Sequence, residues 1–519
     1  MEGTFWAFMP AIIAIVLALV TKQVYVSLFL GIFVGAMMYA GGNPLKALFI
    51  LFQVMSEKLG ANAPIIVFLV VLGILVILMQ KSGGAKAYGD WAGKKIKSKS
   101  GALAATAGLG CLIFVDDYFN CLTVGSVMRP VTDKFKISRS KLAYIIDATA
   151  APVCIIAPIS SWAAAVSGEL EGDGLVVFMS TIPFNVYALL TLLMVFALCF
   201  IKFDFGKMKR NDMVAEKTGD VHAGVAFDSN DDEITVVNSK GKVRHLLIPV
   251  IILIACCVGG MLYTGFFYDG KNSQITDTLQ SSNVIEAFSN CNAGMSLAIG
   301  SIIALTIIAI YYMASRVISF KELTASFTEG FKAMVPAILI LTFAWSISGI
   351  MGADGGYLDA KAFVNNNLAS SAFPKFLFPM IFFVLAGLIA FATGTSWGTF
   401  GVLVPIAVTI LGGSGTLAVL TVSATLGGAV FGDHISPISD TTILASAGAR
   451  CNHVEHVNTQ LPYAALVAGI SVVTYLIAGI CVSLGSVLTG VIMWTVALLL
   501  FAGIVAMIKL IGNKRSSVK

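Results

Sequence analysis

Long apolar stretches and short polar segments alternate along almost the whole chain. Many apolar stretches contain about 20 residues, enough for a helix to cross a bilayer core of about 30 Å. The pattern therefore predicts a series of transmembrane helices. The predicted spans are 5–21, 24–42, 64–80, 101–128 (broken), 142–167 (broken), 177–201, 246–268, 291–315, 333–350, 374–393, 396–411, 417–447 (broken), 460–485 and 487–511.

One long polar segment, 202–245, interrupts this pattern. It is rich in Lys, Arg, Asp and Glu, which is typical of a solvated linker, and a short hairpin is predicted around 233–243. The linker divides the chain into four predicted parts. These are a first transmembrane repeat (1–201), a cytoplasmic linker (202–245), a second transmembrane repeat (246–485) and an extra C-terminal helix with its tail (486–519).

The charges of the loops predict an orientation. Loop 81–100 carries six Lys, and basic loops of membrane proteins lie in the cytoplasm. Loops 168–176 and 269–290 are mainly acidic and are placed outside. With two spans before 64–80, the N-terminus is expected outside and the C-terminus inside, in a bacterial cytoplasmic membrane.

Composition excludes other classes of protein. Hydrophobic residues make up 57% of the chain and charged residues only 12%, whereas soluble domains contain about 25% charged residues. The net charge of +5 does not indicate nucleic-acid binding, because the Lys and Arg lie mostly in short loops between apolar stretches. The sequence has no Gly-Lys-Ser/Thr phosphate-binding loop and no nucleophile constellation. An ion gradient, and not ATP or an enzymatic reaction, is the expected source of energy.

Two halves of the chain resemble each other. The segment around Pro158 is similar to the one around Pro437, 279 positions later, and Pro130 corresponds to Pro405, 275 positions later. The loop charges start the two halves on opposite sides of the membrane, which is the arrangement of secondary transporters. The expected fold is an all-α membrane protein with about 11–14 transmembrane or re-entrant helices, in two inverted-topology repeats with broken helices.

Polar residues concentrate at matching places in the two halves. Charges inside apolar spans are costly and mark functional sites. Gly394, Gly432 and Pro437 are expected to break helices and free backbone carbonyls. With one gap, Asp117 and Asn120 align with Thr393 and Ser396. The predicted substrate-binding residues are Asp116, Asp117, Asn120, Asp147, Thr395, Ser396, Asp433 and His434.

Segment 432–442 is the predicted Na⁺ site. Ser436, Ser439, Asp440 and Thr441 offer oxygens at close spacing, which hard cations prefer. The free N–H groups after Pro437 would equally suit a carboxylate substrate, so either ligand, or both, remains open.

Other interpretations apply to single residues. Asp147 would also fit a packing role and His434 a structural bridge between helices, while His453 and His456 are predicted to lie at the surface. Asp116 and Asp117 are adjacent, and two close carboxylates do not easily ionise together. Such a pair would fit a site at which H⁺ and Na⁺ compete.

The motif Gly-Asp-His-Ile-Ser-Pro-Ile-Ser-Asp-Thr-Thr-Ile-Leu (432–444), with His-Val-Glu-His-Val-Asn-Thr-Gln-Leu-Pro-Tyr (453–463), resembles the NhaC family of bacterial Na⁺/H⁺ antiporters. Segment 115–120 is similar to the family pattern too. The resemblance implies an antiporter that exchanges Na⁺ and H⁺, with Na⁺ as coupling ion and no other cofactor.

Relatives in this family also exchange organic acids, such as malate for lactate with Na⁺ and H⁺. A Na⁺- or H⁺-coupled carrier of a small organic acid or amino acid is therefore the alternative, and a channel is a third class. Membrane lipid is an expected contact, and a homodimer is left open.

Overall fold

The computed structural model consists almost entirely of helices. It describes residues 2–21, 23–170, 174–201, 203–225, 240–269, 274–289, 291–352, 357–363, 366, 374–412 and 415–516. The helices of the first part are α1 (Met9–Thr21), α2 (Val24–Tyr39), α3 (Pro44–Ala61), α4 (Ala63–Lys81), α5 (Gly84–Lys95), α6 (Lys99–Leu112), α7 (Asp117–Lys134), α8 (Arg139–Cys154), α9 (Ser161–Ser167), α10 (Gly174–Thr181), α11 (Val186–Ile201) and α12 (Gly206–Thr218).

The second part begins with α13 and contains the strands that the structure describes. Its helices are α13 (Arg244–Phe267), α14 (Val284–Ser289), α15 (Ala293–Ala314), α16 (Phe320–Met351), α17 (Ala360–Phe363), α18 (Phe378–Thr393), α19 (Ser396–Leu411), α20 (Thr416–Ile435), α21 (Asp440–Ala449), α22 (His453–Ile480) and α23 (Ser486–Ser516). Strands β1 (Tyr268–Asp269) and β2 (Gln274–Ile275) form a small antiparallel pair with Tyr268 opposite Ile275.

The expected class, an all-α multi-spanning protein with broken helices, is confirmed. Among the described residues, eight helices are long and apolar enough to cross a membrane, and two bent helix pairs raise the number to ten. One of these pairs is α16, which bends by 43° at Pro336. Three shorter apolar helices, among them α19, add to the bundle.

The sequence prediction missed several helices, among them α3, α5 and α12. The predicted span 24–42 ends earlier, and the chain turns by 120° into α3, whose polar residues Glu57 and Lys58 shorten its apolar stretch. Helix α5 occupies the basic loop 81–100.

Helix α12 lies in the segment that was expected to be a solvated linker. Its buried residues Met208, Asn211, Asp212 and Ala215 recur at helical spacing and form one packed face. The hairpin predicted around 233–243 lies mostly outside the described residues.

Four helices begin directly after a break, and each has a capping side chain. The caps are Asp116, Ser160, Thr395 and Ser439, and each side chain accepts a hydrogen bond from the backbone N–H three residues later. Such caps satisfy amide groups that a helix start leaves without partners.

The caps of the first half are 279 positions from those of the second, from 116 to 395 and from 160 to 439. The local match places Asp117 opposite Ser396, three positions away from the alignment predicted with a gap. The opposite orientation of the halves and the domain boundaries stay predictions.

Candidate functional site

The breaks lie against each other in pairs. In the first half, the Ser161 N–H donates to the Val115 carbonyl (3.0 Å). In the second half, the Ser436 hydroxyl donates to the Phe391 carbonyl (2.7 Å). Gly394 has a φ of +72°, and a side chain there would overlap the Ile438 carbonyl. Glycine is therefore required where these two breaks meet.

The halves also contact each other near the breaks. Trp162 at the start of α9 packs edge-on against Trp397 of α19, with ring centroids 5.8 Å apart. Helices α7 and α21 cross at Gly125 and Gly448, where a side chain on Gly125 would overlap the Gly448 backbone. Small residues thus bring the broken elements of both halves into one central region.

Asp433 is the centre of an oxygen-rich cluster. Its Oδ2 accepts hydrogen bonds from Thr441 (2.9 Å) and Ser396 (3.3 Å). The Ser439 hydroxyl lies 3.2 Å from that of Thr441. All four side chains are at most 3% exposed. Asp433 Oδ1 has no hydrogen-bond partner among the described residues, so this carboxylate keeps an oxygen available for a ligand.

The structure therefore separates the four residues of the predicted Na⁺ site. Ser439 and Thr441 belong to the Asp433 cluster, whereas the Ser436 hydroxyl is bonded to the Phe391 carbonyl. Asp440 is exposed at the first turn of α21. The geometry thus moves the centre of the oxygen cluster from Asp440 to Asp433, because the sequence order of segment 432–442 does not show which side chains a break turns inward.

The carboxylates of Asp116 and Asp117 are both buried and have different partners. Asp116 Oδ1 caps α7 by accepting from the Phe119 N–H (2.9 Å). Asp117 Oδ2 accepts from the Trp162 indole N–H (2.9 Å). Asp117 therefore connects the start of α7 to the aromatic contact between the halves.

Asn120 holds the first break in place. Its amide nitrogen lies within donating distance of the carbonyls of Gly110 (2.7 Å), Ile113 (3.0 Å) and Thr149 (3.2 Å). Two of these carbonyls belong to the end of α6, where the helical ladder has stopped. The amide therefore satisfies freed backbone groups, and only Oδ1 lacks a partner among the described residues.

Asp147 lies in a second buried network, on α8. Its Oδ2 accepts from Gln460 (2.6 Å) and Thr442 (3.2 Å), and His456 Nε2 lies 3.4 Å away. His434 Nδ1 lies 2.9 Å from the Tyr187 hydroxyl. The buried carboxylate thus has polar neighbours on helices of the other half.

Two members of this network, His456 and Gln460, are not among the predicted site residues. His456 was predicted at the surface but is fully buried, and Gln460 was not singled out although it is fully buried too. The prediction failed because 450–456 looks like a polar loop, whereas α22 begins at His453 and packs its first turns inward. Their spacing of four residues, which places them on one helix face, was the available signal.

Thr395 caps α19 and Ser396 belongs to the Asp433 cluster. The structure thus places the predicted substrate-binding residues in one central region, with different tasks. No group of three or more His, Cys, Asp or Glu side chains suitable for a metal ion occurs within the described part of the chain.

Buried carboxylates at helix breaks, inside an all-α multi-spanning fold, define a secondary membrane transporter. The chain belongs to the Na⁺/H⁺ antiporter family, whose family model matches residues 163–480. The predicted family is thereby confirmed, and the protein is an antiporter.

Several proteins are similar to this chain. An uncharacterized protein of Haemophilus influenzae is 38% identical over 500 residues, which cover 92% of this chain and 91% of that protein. The malate-2H⁺/Na⁺-lactate antiporter of Bacillus subtilis is 32% identical over 147 residues, 28% of this chain and 30% of that protein.

The arginine/ornithine antiporter ArcD of Halobacterium salinarum is 39% identical over 115 residues, 21% of this chain and 24% of that protein. Among solved structures, the YdaH transporter of Alcanivorax borkumensis aligns with a TM-score of 0.45 at 16% identity, over 85% of this chain and 89% of that one.

Proposed function

We propose that the protein exchanges Na⁺ for H⁺ across the membrane and that Na⁺ binds at Asp433 together with Ser396, Ser439 and Thr441. The observation that carries this proposal is the buried Asp433 cluster, in which three hydroxyls surround one carboxylate. Hard cations prefer oxygen ligands, and a bound cation would neutralise a carboxylate that is only 1% exposed.

The position of the cluster supports a transported ion. Ser396 follows the break between α18 and α19, and the other three residues flank the break between α20 and α21. A site made by two breaks changes when the elements move relative to each other, whereas a site on one continuous helix does not. Breaks that line a site are also the arrangement by which secondary transporters bind their ions.

A small organic acid or amino acid is the second candidate substrate. It is favoured by the local identity to antiporters named for malate and lactate and for arginine and ornithine. In this version, Na⁺ or H⁺ at Asp433 would drive the organic substrate, which would bind near the neutral polar groups of Thr395 and Asn120.

We also propose where the protein lies and what surrounds it. The protein lies in the bacterial cytoplasmic membrane, with the N-terminus outside and the C-terminus inside, as the loop charges suggest. Lipid would cover exposed apolar side chains such as Val487 (81%) and Leu499 (69%) of α23. A homodimer is the assembly to test, by mass measurement of the purified protein in detergent.

The test uses purified protein in liposomes that contain a pH-sensitive dye. An imposed Na⁺ gradient is expected to move H⁺ in the opposite direction, and Asp433→Asn is expected to abolish this exchange. Malate, lactate, arginine and ornithine are then added singly. Na⁺ flux that requires one of them would establish the second candidate, and the absence of Na⁺-dependent flux under all conditions would reject both.

A further inference from the structure

His456 is a buried imidazole with an unusual lack of partners. The side chain is completely buried in α22, and neither ring nitrogen has a hydrogen-bond partner among the described residues. Buried polar groups normally have partners, because an unsatisfied one costs about 1–3 kcal/mol. The nearest acceptor is Asp147 Oδ2, 3.4 Å from His456 Nε2. A proton on the imidazole would turn this contact into a charge-assisted hydrogen bond.

Asp147 is connected to the end of α20 by two bridging side chains. The Gln460 amide nitrogen donates to Asp147 Oδ2 (2.6 Å) and to the His434 carbonyl (2.7 Å). The Thr442 hydroxyl lies 3.2 Å from both Asp147 Oδ2 and the Asp433 carbonyl. Asp147 is therefore connected through these two side chains to the backbone of Asp433 and His434.

These bridges differ in how many hydrogens they offer. The Gln460 amide has two hydrogens and satisfies both acceptors at once, whereas the Thr442 hydroxyl has only one. The single hydroxyl hydrogen of Thr442 can therefore be donated either to Asp147 Oδ2 or to the Asp433 carbonyl. When a protonated His456 donates a hydrogen bond to Asp147 Oδ2, the Thr442 hydroxyl can donate to the Asp433 carbonyl instead.

The titratable groups around the pair come from several helices. Asp433 and His434 lie on α20, and Tyr187 lies on α11. Tyr144 of α8 and Cys121 of α7 also lie near Asp147. The groups that interact electrostatically with Asp147 are His434, His456, Asp433, Tyr144, Tyr187 and Cys121. His434 Nδ1 is already bonded to Tyr187, and its Nε2 lacks a partner among the described residues, whereas both ring nitrogens of His456 lack one. His456 is also the imidazole whose Nε2 lies 3.4 Å from Asp147 Oδ2.

We propose that Asp147 and His456 form a proton-binding site separate from the Na⁺ site at Asp433, and that this pair carries the H⁺ side of the exchange. Binding a proton is the only chemical step: the imidazole nitrogen takes up H⁺, and the imidazolium is paired with the Asp147 carboxylate. The proposal rests on Na⁺/H⁺ exchange as the function, but it concerns different residues from the Na⁺ site.

The test distinguishes the effect of a substitution on H⁺ transport from its effect on Na⁺ transport. His456→Gln keeps a polar side chain of similar length that cannot bind a proton at neutral pH, and His222→Gln in the linker removes a histidine far along the chain as a control. Two fluxes are measured in liposomes. One is Na⁺-driven H⁺ movement, and the other is exchange of radioactive Na⁺ for unlabelled Na⁺, which requires no proton.

His456→Gln is expected to reduce Na⁺-driven H⁺ movement at least tenfold while Na⁺/Na⁺ exchange stays within about threefold of the unchanged protein. His222→Gln is expected to retain both fluxes. Persistent H⁺ movement in His456→Gln would overturn the proposal, and so would loss of both fluxes, since the residue would then serve the Na⁺ site or the fold.

Asp147→Asn provides a second variant and is expected to show the same separation. If the unchanged protein shows no Na⁺-driven H⁺ movement, the proposed function fails, and this outcome is distinct from a failure of the proton site.

Discussion

Two single substitutions distinguish the two carboxylates of segment 432–442. Asp433→Asn and Asp440→Asn each remove one negative charge and hardly change the size of the side chain. The sequence favours Asp440 as the Na⁺ ligand, whereas the structure buries Asp433 among three hydroxyls and leaves Asp440 exposed. We expect Asp433→Asn to weaken Na⁺ binding much more strongly.

The expected magnitudes follow from the surroundings of each charge. Two unit charges about 4 Å apart attract each other by about 4 kcal/mol at an effective dielectric constant of about 20, and by about 1 kcal/mol in water. Each 1.4 kcal/mol corresponds to a tenfold change in affinity. Asp433→Asn should therefore raise the half-saturating Na⁺ concentration by about 1000-fold, and Asp440→Asn by about fivefold at most.

The assay is uptake of radioactive Na⁺ into liposomes over a wide range of Na⁺ concentrations, for both variants and the unchanged protein. Thermal unfolding in detergent checks that each variant is folded. Equal effects of the two substitutions, or a larger effect of Asp440→Asn, would refute the placement of Na⁺ at Asp433.

Two further predictions concern stability. Asn120→Ala should lower the free energy of unfolding by about 2–5 kcal/mol, because its amide donates to buried carbonyls at the first break. Asn62→Ala is the control, because its amide donates to one half-buried carbonyl. It should lower the free energy of unfolding by less than about 1.5 kcal/mol in the same thermal measurement. Lys141→Met should remove the cation that pairs with Asp204, leave Asp212 with Lys99 and expose α12 to trypsin, whereas Lys95→Met at an exposed position should not. Unchanged unfolding of Asn120→Ala, or an equally protected α12 in Lys141→Met, would contradict these expectations.

The sequence predicts the membrane spans well because hydrophobic length alone decides whether a helix can cross a bilayer. It fails where a helix is short or amphipathic, as in α3 and α12, because their stability depends on tertiary packing. The capping residues were available in the sequence as Asp, Ser and Thr directly before these helices, and they would have fixed the register of the two halves.

The candidate site is less predictable than the fold. The charged residues of the apolar stretches lie together in the central region, and a lipid-facing helix would not tolerate them. Which of them cluster depends on the direction that a side chain takes after a break, and sequence spacing does not determine that direction. Asp433 and Asp440 illustrate this, since one lies before the break and one after it.

Helix α12 joins elements of both halves, and this changes the interpretation of the linker. Its Asp212 pairs with Lys141 of α8 (3.3 Å), and its Asn211 donates to Glu455 of α22 (2.7 Å). Glu455 directly precedes His456, and Lys141 lies six residues before Asp147, about 9 Å along the helix axis. Hydrogen bonds and buried ion pairs weaken steeply when their atoms separate. These contacts hold α12 against helices of both halves, so this part of the linker is packed against the transmembrane region and is not a solvated tether.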